Sequence, residues 1–347
     1  MRAPDAPDVL IVSLGSTGGL RRTDEELEES LRRAGASVVM ARARPPAEVP
    51  TLMLTDLLWA RAARAAASAA LGRLRASPPR VVVYSTTTAA LLWPRPGAIR
   101  FDAPASGNRR GRHGLWQRPL ERRRLAQAKL LIPQSDGALA EAPAQARRGD
   151  RAVVLPVPVE ASGPPSAVRD IAAITYAANP AKKGLDRVLA AWRRVQAARP
   201  HRSGEELLVA GASVRELQRA GVDVAEEGGV RVLGALPSAD YRALLRRARV
   251  FVCAPRREDY GLAQLEALAD GAELVTTPAP GPYAALPIAR TLDPRLVTED
   301  LDRALLAALE EPRADYAARA AQALAPFSRA AVDRRVAEEL LPRLLAP

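Results

Sequence analysis

The chain has 347 residues and a formal net charge of +12, and that length exceeds what one hydrophobic core ordinarily fills, so two domains are expected. A single cysteine, Cys253, excludes an internal disulfide or a cysteine-rich metal site, and His113 and His201 are too few for a histidine-based one. The roughly 20 uninterrupted apolar residues of a membrane span are nowhere approached, the Ala-rich run 62–71 being broken by Arg64 and Ser68.

Residues 1–8 carry no apolar run and do not read as a secretory signal, so a cytoplasmic location is expected. A strand over 9–14 leads into Gly15-Ser-Thr-Gly-Gly19 and a helix over about 24–34, with Leu20, Leu27 and Leu31 at helical spacing. Strands follow at 38–41, 81–85, 99–102 and 129–133, with a long helix over 55–75 between the first two of these. The stretch 153–166, rich in Val and Pro and ending Gly163-Pro-Pro-Ser166, reads as a linker. The alternation then restarts: strands at 171–176, 206–210, 230–234, 250–254 and 273–277, helices at 185–198, 214–220, 238–248 and 262–269. Short apolar strands alternating with helices predict two doubly wound, Rossmann-like α/β domains with parallel sheets. They should span 1–160 and 167–329, leaving a C-terminal helix over 330–347. Ligands of such sheets bind beyond the carboxyl ends of the strands, here the turns at Gly15, Asp102, Ala178 and Pro255.

Charge divides unevenly between the halves. Residues 1–165 hold 25 Lys and Arg against 15 Asp and Glu, and the remainder hold 26 against 24. Such a basic half suits an anionic partner: a lipid surface, a phosphorylated acceptor or nucleic acid. Arg109, Arg110, Arg112, Arg118 and Arg122-Arg-Arg124 supply seven positive charges around His113 and Trp116. This segment reads either as an acceptor or anionic-surface site or as a solvated basic face. Without an aromatic-interleaved motif, nucleic acid is not expected. Lysine occurs only at 129, 182 and 183, so the pair Lys182-Lys183 marks a place that calls for compact point charges.

Two glutamates, Glu258 and Glu266, flank a strand-to-helix turn in Glu258-Asp-Tyr-Gly261-Leu262-Ala263-Gln-Leu-Glu266. Gly261 admits close backbone approach, and the amides of Gly261, Leu262 and Ala263 form an anion site at a helix start. The run from Pro255 through Glu266-Ala-Leu-Ala-Asp-Gly271 resembles the hallmark of glycosyltransferase family 4, retaining enzymes of the GT-B fold. The resemblance covers about residues 170–285, and the first half follows it in topology only. It implies that Glu258 bonds hydroxyls of a donor sugar, that Glu266 holds the nucleotide ribose, that the active site lies in a cleft between two facing domains, and that the C-terminal helix over 330–347 crosses back to the first domain. In the turn Asn179-Pro-Ala-Lys182-Lys183-Gly184, Lys183 fits the family lysine that neutralises the departing diphosphate. The family arginine is replaced by Ala178 or Asn179, so Lys182, Arg256 or Arg257 would have to compensate. By the same resemblance Gly18 and Gly19 form the glycine loop facing the diphosphate. Gly211 closes a strand by the nucleobase, and the backbone at Ala235 and Leu236 reads the base edge. Asp102 stands where the family often has histidine; a carboxylate there could take the acceptor's proton, stabilise an oxocarbenium-like centre, or cap the next turn.

The function expected is metal-independent, retaining hexosyl transfer from a nucleotide-diphosphate sugar, with Asp102, Lys183 and Glu258 as catalytic candidates and no cofactor beyond the co-substrate. A sugar-nucleotide epimerase of the same fold and a non-catalytic sugar-nucleotide binder are the alternatives.

Overall fold

The computed structural model describes residues 6–109, 111–147, 150–166, 168–202, 204–224 and 228–346. The chain divides into two compact units, Met1–Pro158 with Arg329–Pro347, and Val159–Ser328.

In the first unit β1 (Val9–Ser13), α1 (Gly18–Arg33), β2 (Val38–Arg42), α2 (Leu52–Arg73), β3 (Val81–Tyr84), α3 (Thr87–Ala90), β4 (Ala98–Phe101), α4 (Ala105–Asn108), α5 (Gln117–Gln127), β5 (Leu131–Pro133) and α6 (Asp136–Glu141) follow one another. The strands form one parallel sheet in the order β2-β1-β3-β4-β5. Successive side chains of a strand face opposite ways, and β1 serves two cores. Leu10 and Val12 pack with Ala63, Ala67 and Ala70 of α2. Val9 and Ile11 pack with Leu27 and Leu31 of α1 and with Val332, Val336, Leu340 and Leu344 of the C-terminal segment. Those four recur every fourth residue, which puts them on one helical face. That segment runs as a helix over Arg329–Arg335, widens to a π turn over Val336–Leu340 and closes over Leu341–Leu345. The widening precedes Pro342, which lacks an N–H and crowds the carbonyl four residues back.

In the second unit β6 (Ile171–Tyr176), α7 (Pro180–Lys183), α8 (Leu185–Ala198), β7 (Leu207–Ala210), α9 (Val214–Arg219), β8 (Val230–Gly234), α10 (Ser238–Arg247), β9 (Ala248–Cys253), α11 (Leu262–Ala269) and β10 (Glu273–Thr276) build a second parallel sheet, ordered β10-β9-β6-β7-β8. Three helices, Ala285–Leu292, Leu301–Glu310 and Tyr316–Ala323, complete the unit.

The expected start of α1 needs correction. Thr17 accepts the amide of Leu20 at 3.2 Å and caps the helix at Gly18, so Gly18 and Gly19 are its first turn and not a loop. The cap outweighs the poor helix propensity of paired glycines. The basic segment, left without elements by the sequence, folds into α4, a 3-10 turn at Gly111–Gly114, and α5.

Two buried carboxyls make stability depend on pH. Glu121 on α5 is 4% exposed; its oxygens accept the Ala105 amide at 2.8 and 3.1 Å, and burial pushes its pKa up to about 7. Burial likewise raises Glu273 to about 7 while it accepts the Arg313 amide at 2.8 Å. A carboxyl that binds its proton more tightly when folded stabilises below its unfolded pKa and loses that contribution as pH rises through the folded value. Melting temperature should therefore fall between about pH 5 and pH 8, and Glu121→Gln should flatten part of that fall. Thermal melts followed by circular dichroism check this; identical slopes in both proteins would refute it.

Candidate functional site

The chain runs outward from β6 through β7 to β8 and returns to β9 on the other side of β6. The switch point of the second sheet lies between β6 and β9, which is where open parallel sheets take ligands. Two turns meet there.

After β6, Asn179 accepts the Lys182 amide at 3.1 Å and starts the single-turn α7, with Pro180 at its first position. Gly184 ends it at φ +64°, and a Cβ there would lie 1.9 Å from the carbonyl oxygen of Ala254, just past β9. Only glycine allows this approach. Beside it the Arg256 amide donates to the Lys182 carbonyl at 3.0 Å, so the two turns are bonded through their backbones. The second turn is braced from behind: the Glu258 amide donates to Pro280 O at 3.1 Å, and a Cβ on Gly281 would strike Glu258 O at 2.2 Å.

This contact sets Lys183 Nζ 2.6 Å from Glu258 Oε2, and Lys182 Nζ 2.6 Å from Asp259 Oδ2, while Asp259 Oδ1 accepts from Arg257 Nε at 3.0 Å. The lysines close α7 and face carboxylates, directly ahead of Gly184, the N-cap of α8. Arg256 instead pairs with Asp186 at the exposed start of α8.

Gly261, at φ +89°, caps α11, and a Cβ on it would meet the Tyr283 ring at 2.7 Å. The first intrahelical bond is Leu265 N to Gly261 O, so the amides of Leu262 and Ala263 precede the ladder. One turn on, Gln264 Nε2 donates to Glu258 Oε2 at 3.0 Å, while its buried Oε1 has no partner. A carboxylate accepts only, so the amide nitrogen must face Glu258 and the oxygen is left over. Glu266, 7% exposed, lies 3.5 Å from Arg242 Nη1; that guanidinium also bonds Asp270 Oδ2 at 2.5 Å and the Glu160 carbonyl at 2.7 Å. The rings of Tyr176 and Tyr241 pack at a tilt of 54°, centroids 5.4 Å apart. Burial, with the Glu266 charge adding to it, raises the pKa of both.

Gly211 follows β7 at φ +93°, with a Cβ position 2.8 Å from the Tyr176 ring, and its amide donates to Gly234 O at 2.7 Å. Ala235 and Leu236 come next after β8. The second unit thus brings Asn179, Lys182, Lys183, Gly211, Glu258, Gly261 and Glu266 to the carboxyl ends of one sheet.

Gly18, Gly19 and Asp102 belong to the first unit. Asp102 is half-buried after β4, and its Oδ1 accepts the Ala103 amide at 2.8 Å. Arg109 grips the fully buried Asp56 with two bonds of 2.6 and 3.0 Å, so its guanidinium is engaged inside the unit. Arg112 and His113 are exposed and Trp116 half-buried; Arg110 lies outside the described residues. Among the described residues, no three His, Cys, Asp or Glu side chains cluster as metal ligands. No helix among them is long and apolar enough to cross a membrane.

Sequence reasoning missed Gln264, Arg242, Tyr176 and Tyr241. Gln264 had a signal, a lone amide inside the apolar run of α11; Arg242 had none in so arginine-rich a chain.

Two parallel α/β units with these strand orders have the architecture of the GT-B fold. The second unit carries a sequence match: residues 170–312, within it, match the family model for glycosyl transferases group 1. No curated protein matches the chain in sequence. WaaG, a glycosyltransferase of lipopolysaccharide biosynthesis, is similar in structure at 15% identity and a TM-score of 0.67, covering 95% of this chain and 98% of its own. HepE of Anabaena, solved with UDP and glucose, gives 15%, 0.66, 96% and 99%. Sucrose-phosphate synthase of Thermosynechococcus elongatus gives 16%, 0.64, 98% and 99%.

Replacing Gly184 by alanine should lower stability by at least the ~1–3 kcal/mol of left-handed strain, plus the cost of parting the two turns. Urea unfolding measures this; a change below half a kilocalorie would show that the turns do not need their contact.

Proposed function

We propose that this protein transfers a hexosyl group from a nucleotide-diphosphate sugar to an acceptor hydroxyl with retention of anomeric configuration, without a metal ion or any cofactor besides that co-substrate. The observation that carries the reading is the placement of Glu258 and Glu266 on either side of the Gly261 helix start, with Lys183 against Glu258.

Glu266 takes the ribose hydroxyls, with Arg242 fixing its carboxylate, and the Tyr176 ring flanks the nucleoside beside Gly211, Ala235 and Leu236. The diphosphate sits at the amides of Gly261, Leu262 and Ala263. Glu258, held by Gln264, orients the sugar. The bond between the anomeric carbon and the phosphate oxygen breaks with its electron pair going to the phosphate. Lys183 and the helix-start amides stabilise that growing charge, which fixed dipoles and charges do without reorganising. Lys182, pairing with Asp259, stands in for the family arginine. The acceptor oxygen bonds to the anomeric carbon, and its proton leaves to the departing phosphate.

The test uses the full chain against a panel of nucleoside diphosphates and their sugar conjugates. One nucleotide should raise the melting temperature of the wild type and not of Glu266→Ala. Glu258→Gln should keep that shift while losing at least about a hundredfold in turnover, the scale on which transition-state contacts act. Anomer analysis of the product by NMR tests retention. A shift without turnover under any acceptor would favour the non-catalytic binder, and altered sugar with donor alone would favour the epimerase. No shift at millimolar nucleotide would overturn the donor site.

A further inference from the structure

Asp270 closes α11, and its carboxylate is wholly buried at the helix end where a negative charge opposes the dipole. A charge so placed costs stability unless other groups answer it, and three donors do. Arg242 Nε donates to Oδ2 at 2.5 Å, and the amide and hydroxyl of Ser162 donate to Oδ1 at 2.8 and 2.9 Å. Arg246 in turn donates to the Ser162 hydroxyl.

Ser162 belongs to the stretch by which the chain enters the second unit, which begins at Val159. That stretch is pinned along its length. The Val159 amide donates to Phe327 O at 2.8 Å, beside the point where the chain leaves the unit after Ser328. The Glu160 carbonyl accepts Arg242 Nη2 at 2.7 Å. Glu160, Arg242, Asp270 and Ser162 thus close a ring of hydrogen bonds, in which residues 160 and 162 grip the arginine–aspartate pair from both ends.

Glu266 stands outside that ring, one helical turn before Asp270. Arg242 Nη1 reaches it at 3.5 Å, well beyond the about 2.7–2.9 Å of a charge-assisted bond. One guanidinium therefore serves two buried carboxylates, bound tightly to Asp270 and only loosely to Glu266. Its place is set by Asp270 and by the Glu160 carbonyl. Released from them, it would close on Glu266, the other carboxylate within its reach.

We infer that the segment 160–162 is a positioning element of the nucleotide site: through Asp270 it holds the Arg242 charge back from Glu266, so that segment and nucleotide stabilise each other. The inference rests on the proposed reading that Glu266 takes ribose hydroxyls. Those hydroxyls and an approaching guanidinium compete for the same carboxylate. Ribose on Glu266 keeps Arg242 in the ring, and the closed ring keeps Ser162 bonded. An open ring sends Arg242 to Glu266 and weakens the nucleotide. The coupling is reciprocal, so the factor by which nucleotide protects the segment is the factor by which the closed segment tightens the nucleotide. Asp270, Glu160 and Ser162 act on the ribose only through Arg242 and Glu266.

Hydrogen exchange over residues 159–163 of the full chain, read by mass spectrometry with and without nucleotide, tests this together with calorimetric titration. The probes are UDP, TDP, CDP, GDP and ADP. The one that binds the wild type should slow exchange at the Ser162 amide about fivefold or more, the low end of ordinary coupling between sites. Asp270→Asn removes the charge that holds Arg242; it should raise the dissociation constant by about the same factor and abolish the slowing. Ser162→Ala, at an exposed position, is a second variant that leaves the buried pair in place. It should weaken the nucleotide about twofold or more, and Ser162→Thr, which keeps the hydroxyl, should restore the wild-type affinity. A merely structural Asp270 would speed exchange equally with and without nucleotide and leave affinity unchanged, and that result would overturn the inference. Nucleotide binding that leaves exchange over 159–163 as in the free protein would overturn it too, with the donor site intact. Absence of binding by all five nucleotides to the wild type would overturn the donor site and this inference together, a result distinct because it is read before any variant is made.

Discussion

The close approach of Gly184 to the Ala254 carbonyl is the constraint on which the second unit's site depends. It is a backbone contact between the turns after β6 and β9, strands that are neighbours in the sheet and far apart in sequence. Without it Lys183 and Glu258 would sit on separate loops. With it they form an ion pair whose carboxylate side chain is only 6% exposed and whose lysine is 20% exposed. Removing either partner of such a pair leaves a buried charge uncompensated, at a cost of about 3–5 kcal/mol. The same physics explains Gln264, whose amide gives Glu258 a second donor while leaving its own Oε1 without one. A buried oxygen without a partner costs about 1–3 kcal/mol. That the fold tolerates this cost beside Glu258 argues that the orientation of this carboxylate matters more than the stability of the helix under it.

A comparable device underlies the glycine turn of the first unit. Asp24 and Arg100, both almost wholly buried, face each other at 3.6 Å; Ser13 donates to Asp24 at 2.6 Å, and Arg100 donates to the Thr23 carbonyl at 3.0 Å. Burial pushes the Asp24 carboxyl upward and Arg100 pulls it back. These bonds tie α1 to the ends of β1 and β4, so the turn over residues 15–17 springs from an anchored helix.

What could be read from the sequence was whatever is local. Strand positions followed from short apolar runs, and β6, α8, β8 and α11 have the limits that periodicity predicts; the last three are bounded by a glycine or proline within a residue or two. The Glu258–Glu266 motif was legible for the same reason: its glycine, helix start and carboxylates lie within nine residues. Long-range partners were not. Lys183 and Glu258 are 75 residues apart, and Arg109 and Asp56 are 53 apart. Nothing in the spacing of an arginine-rich segment distinguishes Arg109, engaged by a buried aspartate, from Arg122, which is exposed. The extra first turn of α1 was hidden by Gly18-Gly19, whose composition signals a loop until the Thr17 cap is seen.

The pairing of Lys183 with Glu258 has a consequence for how a donor would be recognised on the proposed reading. In the free protein the lysine's charge is already answered, so a diphosphate that drew Lys183 away would leave Glu258 in its buried place with only the Gln264 amide. A nucleoside diphosphate alone therefore gains one charge contact and weakens another. A complete sugar nucleotide avoids that loss, because the sugar's hydroxyl groups donate to Glu258 as the phosphate takes the lysine. On that reading, recognition of the sugar and of the diphosphate would be coupled through one ion pair, a coupling that would favour the intact donor over the spent nucleotide. Product release would then follow from the same pair closing again, with Lys183 returning to Glu258 once the hexose has gone.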